Sequence, residues 1–438
     1  VTTRTQSHPC EETIVTNQYD EYDVVVIGGG PAGSTAAALL AKAGRDVLVL
    51  EREAFPRYHI GESLVPGVMP VLDELGLLPT MEQTFLRKYG STLRWGVERE
   101  LWAIHFGEAG PWEYAYQVER AVFDQMLLSC AREHGASVIE QASVTEAVFE
   151  DGRCVGVRYR RERQGDTLEA RARLVIDASG QSKLLARREN AIEWHEDLRN
   201  IAVWTYYKGG THLDGIDSGN ILTEYHEDGW VWVIPFKDGT RSVGFVGPND
   251  LFVKSGLSPV EYFDSRLEVT AEAKRLLAGA ERIAEHRVFK DWSYAATRFG
   301  GPGYLMVGDA AAFVDPLFST GVMLAMKSAS AAARAATQIL DDPASEAEKR
   351  EQYEAAYRDF FQTVVSFVRY FYDARRQRTD YWTRAQELID PVRELEERAD
   401  FVRLISGLSG ELEVMTHPGL APADDQSADA PLASAVRE

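Results

Sequence analysis

The run of apolar positions at Val24, Val25, Val26 and Ile27 is unbroken by polar residues, and such a run predicts a strand covered on both faces of a parallel sheet. Residues 32–43 read as the helix that follows, and 46–50 as a second apolar strand ending at Glu51. A short helix is expected over 70–75, with Pro70 at a tolerated first position, and a strand over 91–95. Residues 121–134 put Phe123, Met126, Leu127 and Cys130 on one side of a helix. Two strands at 144–149 and 154–161 meet at Asp151-Gly152, a hairpin signal. Residues 174–177 form a further buried-type strand that ends in acid, small residues and glycine. The segments 201–207, 221–225, 230–235 and 241–246 form a strand-rich block, expected to build a second, mainly antiparallel sheet. The chain returns through 304–307 and is then helical, over 322–340, 347–372 and 382–408. No internal repeat is visible.

This order predicts an α/β protein with a discontinuous, Rossmann-like nucleotide-binding domain from residues 20–65, 115–190 and 290–340. Residues 66–114 and 191–289 would form a β-sheet substrate domain, and 341–415 a helical C-terminal region. Residues 1–19 and 416–438 are expected to be disordered, the latter being rich in Ala, Pro, Asp and Ser.

Composition narrows the class. A chain of 438 residues exceeds one ordinary core, and 45% hydrophobic with 26% charged residues is the balance of a soluble globular protein. No apolar run reaches transmembrane length, and the polar, acidic first twenty residues lack the features of a signal peptide, so no membrane association is expected. Cys10, Cys130 and Cys154 are too few and too far apart for a disulfide framework or a metal site, which favours the reducing cytoplasm. A net charge of −21 argues against nucleic-acid binding.

The candidate chemistry begins at Gly28, Gly30 and Gly33. Their spacing suits a tight turn, close backbone approach to a pyrophosphate, and close packing of the next helix on the sheet. Glu51 lies about 20 residues on, where an acidic ribose partner belongs. Residues 55–66, broken by Pro56, Gly61 and Pro66, read as an ordered loop. Together with Asp177–Gly180 and Gly308-Asp309, these segments resemble FAD enzymes of the p-hydroxybenzoate hydroxylase type. Asp309 is read as preceding a helix and accepting from cofactor hydroxyls. The resemblance implies FAD contacts at Gly28, Gly30, Ala32, Gly33, Glu51, Arg52, Gly61, Glu62, Ser63, Arg120, Asp309, Pro316 and Gly321.

Within that group, Gly229-Trp-Val-Trp-Val-Ile-Pro235 resembles the Trp-x-Trp-x-Ile-Pro signature of flavin-dependent halogenases. On a strand Trp230 and Trp232 share a face, and the resemblance implies a wall that keeps organic substrate from the flavin. Lys88, after a Gly61-Glu62-Ser63 loop that resembles the family's FAD strap, is similar to its active-site lysine. In Asp315-Pro-Leu-Phe-Ser-Thr-Gly321, the resemblance implies a halide against the backbone of Thr320 and Gly321, at a helix N-terminus. Tryptophan halogenases carry a glutamate at about Phe318. Its lack implies an aromatic substrate activated by its own substituent, a phenol or a pyrrole, free or tethered to a carrier protein.

The implied activity is a two-component one. A separate flavin reductase supplies FADH2, which with O2 and chloride yields hypochlorous acid that reacts near Lys88. Two other readings stay open at this level: a single-component FAD-dependent aromatic monooxygenase, and a flavin-binding or carrier-interacting protein without catalysis. The basic-aromatic stretch 369–378 reads as a solvated helix face or a dock for an acidic carrier protein.

Overall fold

Val24, Val25 and Val26 are completely buried because the Asp20–Ile27 strand lies inside a parallel sheet, between Val47–Leu50 and Leu168–Asp177. This computed structural model describes residues 20–108, 110–161, 165–389 and 397–407; the expected disordered ends at 1–19 and 416–438 lie outside them. The first sheet runs in the order Gly300–Gly301, Tyr304–Met306, Leu168–Asp177, Asp20–Ile27, Val47–Leu50, Ser137–Ile139. The hairpin of Ser143–Glu150 and Arg153–Arg160 attaches antiparallel to Leu168–Asp177. The Pro31–Lys42 helix is packed against the Gly321–Asp341 and Arg120–Glu133 helices. Its fully buried Ala36, Ala37 and Ala38 permit that close approach.

The second sheet has the order Ala312–Phe313, Arg287–Ala296, Ile192–Lys208, Thr240–Pro248, Gly229–Pro235, Ile221–His226, Gly90–Arg94, Leu101–His105. It is antiparallel except where Ile221–His226 meets Gly90–Arg94. All seven residues of Gly229–Pro235 are buried, and their alternation divides two cores. Val231 and Val233 join Ile201, Val203, Phe245 and Tyr262 on one face. Trp230, Trp232 and Ile234 join the main core on the other. The motif that bears the tryptophans therefore faces the nucleotide-binding half.

Three differences from the sequence reading have local causes. The Ile192–Lys208 strand starts well before residue 201, because its first part is a polar, largely exposed stretch with a bulge between Trp194 and Arg199 that hides the alternation. In place of one helix over 382–408 there are two, Arg378–Ile389 and Glu397–Ser406. The two pack against one another, which one continuous helix could not do. The Pro259–Val269 helix was missed although Ser258 and Glu261 form a capping box, a signal legible in the sequence. Among the described residues no helix is long and apolar enough to cross a membrane.

Candidate active site

Each glycine of the first loop has its own reason to be there. Gly28 sits at φ +99°, and a Cβ there would lie 2.6 Å from the carbonyl oxygen of Ala178. A Cβ on Gly33 would lie 1.9 Å from the oxygen of Gly28, so the helix is pressed against the turn. Gly30 is the N-cap of the Pro31–Lys42 helix, with no side-chain cap, and a Cβ there would meet only the Arg57 guanidinium. The first-turn amides are thus open to an anionic ligand. Glu51, at the end of its strand, is held by the Gly29 amide (2.6 Å) and the Glu53 amide (2.8 Å). Ala32 is buried beneath the loop, while Arg52 reaches across it to Ser182 at 3.0 Å.

Asp177 serves the fold: its carboxylate accepts from the amides of Ser179 and Leu185. Asp309 lies in a single 3-10 turn, Gly308–Ala310, rather than ahead of a helix. Burial pushes its carboxyl up to about 6, against the opposing pull of Arg120 and Lys183. Tyr294 donates to the Asp309 carbonyl (2.6 Å), and Tyr357 to that of Gly308 (3.2 Å), fixing the turn. Arg120 donates to the carbonyls of Ile60 (2.6 Å) and Gly61 (3.2 Å) and pairs with buried Asp124, which also holds Arg57. It thereby staples the strap to a helix. Asp124 and Arg57 were not singled out from the sequence.

The strap and Lys88 meet directly. Lys88 is completely buried, and its Nζ donates to Ser63 Oγ (2.8 Å) and the Leu64 carbonyl (3.0 Å). The amine stands 5.4 Å from the centre of the Phe106 ring. Burial lowers its pKa to about 7. A short ribbon, Leu86–Lys88 against Ala115–Gln117, positions it; the sequence pattern had not revealed that strand.

Trp230 and Trp232 stand side by side with ring centres 6.0 Å apart, and Trp204 extends the wall 6.4 Å from Trp232. Trp232 donates to Ser242 (3.1 Å) and Trp230 to the Tyr372 hydroxyl (2.9 Å). That hydroxyl in turn donates to Asp315 (2.8 Å), to which Asn200 also donates (2.7 Å). Asp315 accepts from the Leu317 amide and so caps the 3-10 turn Pro316–Phe318, after which Ser319 takes φ +58°. Thr320 precedes the Gly321–Asp341 helix, but its side chain does not cap it: the hydroxyl is buried without a partner. A Cβ on Gly321 would meet nothing within 4 Å. An open helix N-terminus beside an orphaned hydroxyl fits a bound group. Phe318 stacks on Phe367 and meets Phe371 edge-on, with centres 5.2 and 4.9 Å away, in a cluster that offers no base. A small pocket is lined by Val65 of the strap, Phe318 and Ser319 of this turn, and Phe106, Thr223 and Ile405.

The basic stretch after residue 368 is not brought to this site as free charge. Arg369 is bidentate with Asp197 (2.6 and 2.9 Å), and Arg375 and Arg376 pair with Asp373.

A glycine cradle open at Gly30, an acidic strand end and an aspartate turn are the features of an FAD-dependent oxidoreductase, and this one also carries a tryptophan wall and a buried lysine. The chain matches the tryptophan halogenase family over residues 23–110 and 105–413, and it belongs to that family of flavin-dependent halogenases. It is 35% identical to the tryptophan 2-halogenase of Chondromyces crocatus over 83% of this chain and 70% of that protein. To the 1H-pyrrole-2-carbonyl-[peptidyl-carrier protein] brominase of Pseudoalteromonas luteoviolacea (strain 2ta16) it is 34% identical, over 81% and 87%. Among solved structures, the myxobacterial chondrochloren halogenase CndH superposes with a TM-score of 0.77 at 37% identity, covering 92% of this chain and 98% of that one. The flavin-dependent brominase Bmp2 gives 0.78 at 30% identity, covering 89% and 94%. The protein is an enzyme that uses FAD, a halide and O2. These relationships overturn the two alternatives, the aromatic hydroxylase and the non-catalytic flavin protein.

Proposed function

We propose that the enzyme chlorinates an electron-rich aromatic, a phenol or a pyrrole, in natural-product biosynthesis, with FADH2 delivered by a separate flavin reductase. The observation that carries this reading is Lys88, a buried amine held by the strap, in a site where Phe318 supplies no base to activate an unsubstituted ring. A relative that acts on a carrier-bound pyrrole supports a tethered substrate here.

Bound reduced FAD supplies the electrons that, with O2, turn halide into hypohalous acid. The chain's own residues hold and separate. Gly28, Gly30, Ala32 and Gly33, with Glu51, Arg52 and Asp309, would bind the adenine-to-ribityl length of the cofactor. Gly61, Glu62, Ser63, Arg120, Pro316 and Gly321 would frame its reactive end. The backbone at Thr320 and Gly321 would hold the halide, and Trp230 and Trp232 would keep the aromatic ring away. At a pKa of about 7 both forms of Lys88 are populated near neutrality. The ammonium can donate a hydrogen bond to hypochlorous acid, and the neutral amine can attack it.

The test is a reductase-coupled assay with chloride and with bromide, against free and carrier-bound phenols and pyrroles, read by mass spectrometry. A halogenated product that is lost in Lys88→Met while FAD content stays normal supports the reading. Halogenation of an unsubstituted indole in preference to every phenol and pyrrole overturns the substrate class.

A further inference from the structure

Glu62 and Ser63 are neighbours on the strap, yet their side chains do different work. Ser63 meets Lys88, whereas Glu62 Oε1 accepts from the Tyr206 hydroxyl at 2.6 Å. The Tyr206 hydroxyl lies 2.9 Å from that of Tyr58, which accepts from the Trp204 indole at 2.6 Å. Tyr58 is 40% exposed and Glu62 only 4%, so an unbroken file of hydroxyls runs from the surface to a buried carboxyl.

Its polarity is determined by donor count. An indole N–H only donates, so Trp204 occupies an acceptor position on Tyr58. Tyr206 gives its single proton to Glu62, and Tyr58 therefore donates to Tyr206. Both phenol donors point inward. The far oxygen, Glu62 Oε2, is also buried. The carboxyl lies by the tryptophan wall: Ser242, which stabilises its ionised form, is the residue that holds Trp232. The other charged groups around it are Arg120, which favours ionisation, and Glu119, which opposes it; at the outer end Arg287 stacks 3.6 Å over the Tyr58 ring.

We propose that Tyr58, Tyr206 and Glu62 form the path by which a proton enters the flavin site. The inference rests on the halogenase chemistry above, in which an aromatic C–H, halide, O2, FADH2 and one proton become C–halogen, FAD and two waters. Each turnover thus consumes a proton, and Glu62 at the inner end of the file is buried. In the transfer, the Tyr206 O–H breaks as the Glu62 O–H forms, and the Glu62 O–H breaks in turn as an O–H of product water forms. Tyr206 takes the proton of Tyr58, and Tyr58 takes one from solvent, so neither phenol is left charged. Burial holds Glu62 near 7, poised between its two forms at neutral pH.

The test uses the full chain with Tyr206→Phe, which keeps the ring and breaks the file; Glu62→Gln, which removes the acid; and Tyr58→Phe, which cuts the outer link at a part-exposed position. Infrared titration of the flavin-free protein should show a protonated buried carboxyl titrating near neutrality. It should be absent in Glu62→Gln and displaced to higher pH in Tyr206→Phe, which loses the hydrogen bond to the ionised form. In the reductase-coupled assay, Tyr206→Phe and Tyr58→Phe should lower turnover on the order of tenfold or more. The defect should deepen as pH rises and come with a changed solvent isotope effect, at normal FAD content and halide KM. A wild-type pH profile and isotope effect in both tyrosine variants overturns the proposal, as does the absence of a Glu62-dependent titration. If no halogenated product forms at all, the proposed function fails, while the infrared result still decides whether Glu62 titrates through Tyr206.

Discussion

Tyr372 donates its hydroxyl proton to Asp315 at 2.8 Å and accepts from the Trp230 indole at 2.9 Å, so one phenol ties the tryptophan wall to the turn that leads to Thr320. Asn200 donates to both Asp315 and Tyr372, and the four side chains come from three strands or turns and a helix end. Tyr372→Phe leaves the buried indole N–H without its acceptor, and it should cost about 1–3 kcal/mol in urea denaturation. The halide KM should rise more than kcat falls, because the turn loosens while Lys88 stays in place.

The Asp315 carboxyl titrates at about 6 in the folded protein, raised from 3.8 by burial and pulled back by Tyr372 and Asn200. A raised carboxyl contributes stability that is fully present below its unfolded pKa and is lost as pH rises through the folded one. Wild-type stability should therefore carry a falling component between about pH 4 and 6. Asp315→Asn should lack it, as followed by denaturation midpoints across that range.

Lys88 has the opposite sign. Its folded pKa is depressed from 10.5 to about 7 by burial alone, so protonating it costs the folded state. Lys88→Met should gain stability relative to wild type, most below pH 7, with the gain vanishing toward 10.5. Halogenation should fall by on the order of a hundredfold or more at unchanged FAD absorbance.

Gly30→Ala and Gly33→Ala separate cofactor binding from folding. The Gly33 Cβ would overlap the Gly28 carbonyl, which should cost about 3 kcal/mol or more. Gly30 has φ −70° and only a flexible arginine nearby, so the fold should change by less than about 1 kcal/mol. If Gly30 cradles the pyrophosphate as proposed, its new methyl would stand in the way, and FAD affinity measured by titration should fall about tenfold or more.

Gly244 supports Trp232 from below: a Cβ there would lie 2.2 Å from the indole. Gly244→Ala should cost about 1–3 kcal/mol and tilt the ring. A dye that traps hypohalous acid should then report more oxidant escaping per halogenated product than in wild type.

What the sequence determined by itself was local and periodic. The apolar run at 24–27, the glycine spacing after it, and the alternation that puts Trp230 and Trp232 on one face all follow from backbone geometry within a few residues. From these the flavin fold and the family resemblance could be read. Tertiary structure decided which polar groups found one another. Tyr372 meets Trp230 across 142 positions, Tyr206 meets Glu62 across 144, and Lys88 meets Ser63 across 25. No local period encodes such pairs, because burial is what forces each hydroxyl, amine and carboxyl to find a partner, and burial is a property of the packed sheets. Likewise the pKa values of Lys88, Glu62 and Asp315 are set by the desolvation that packing imposes, which no residue carries in its own chemistry.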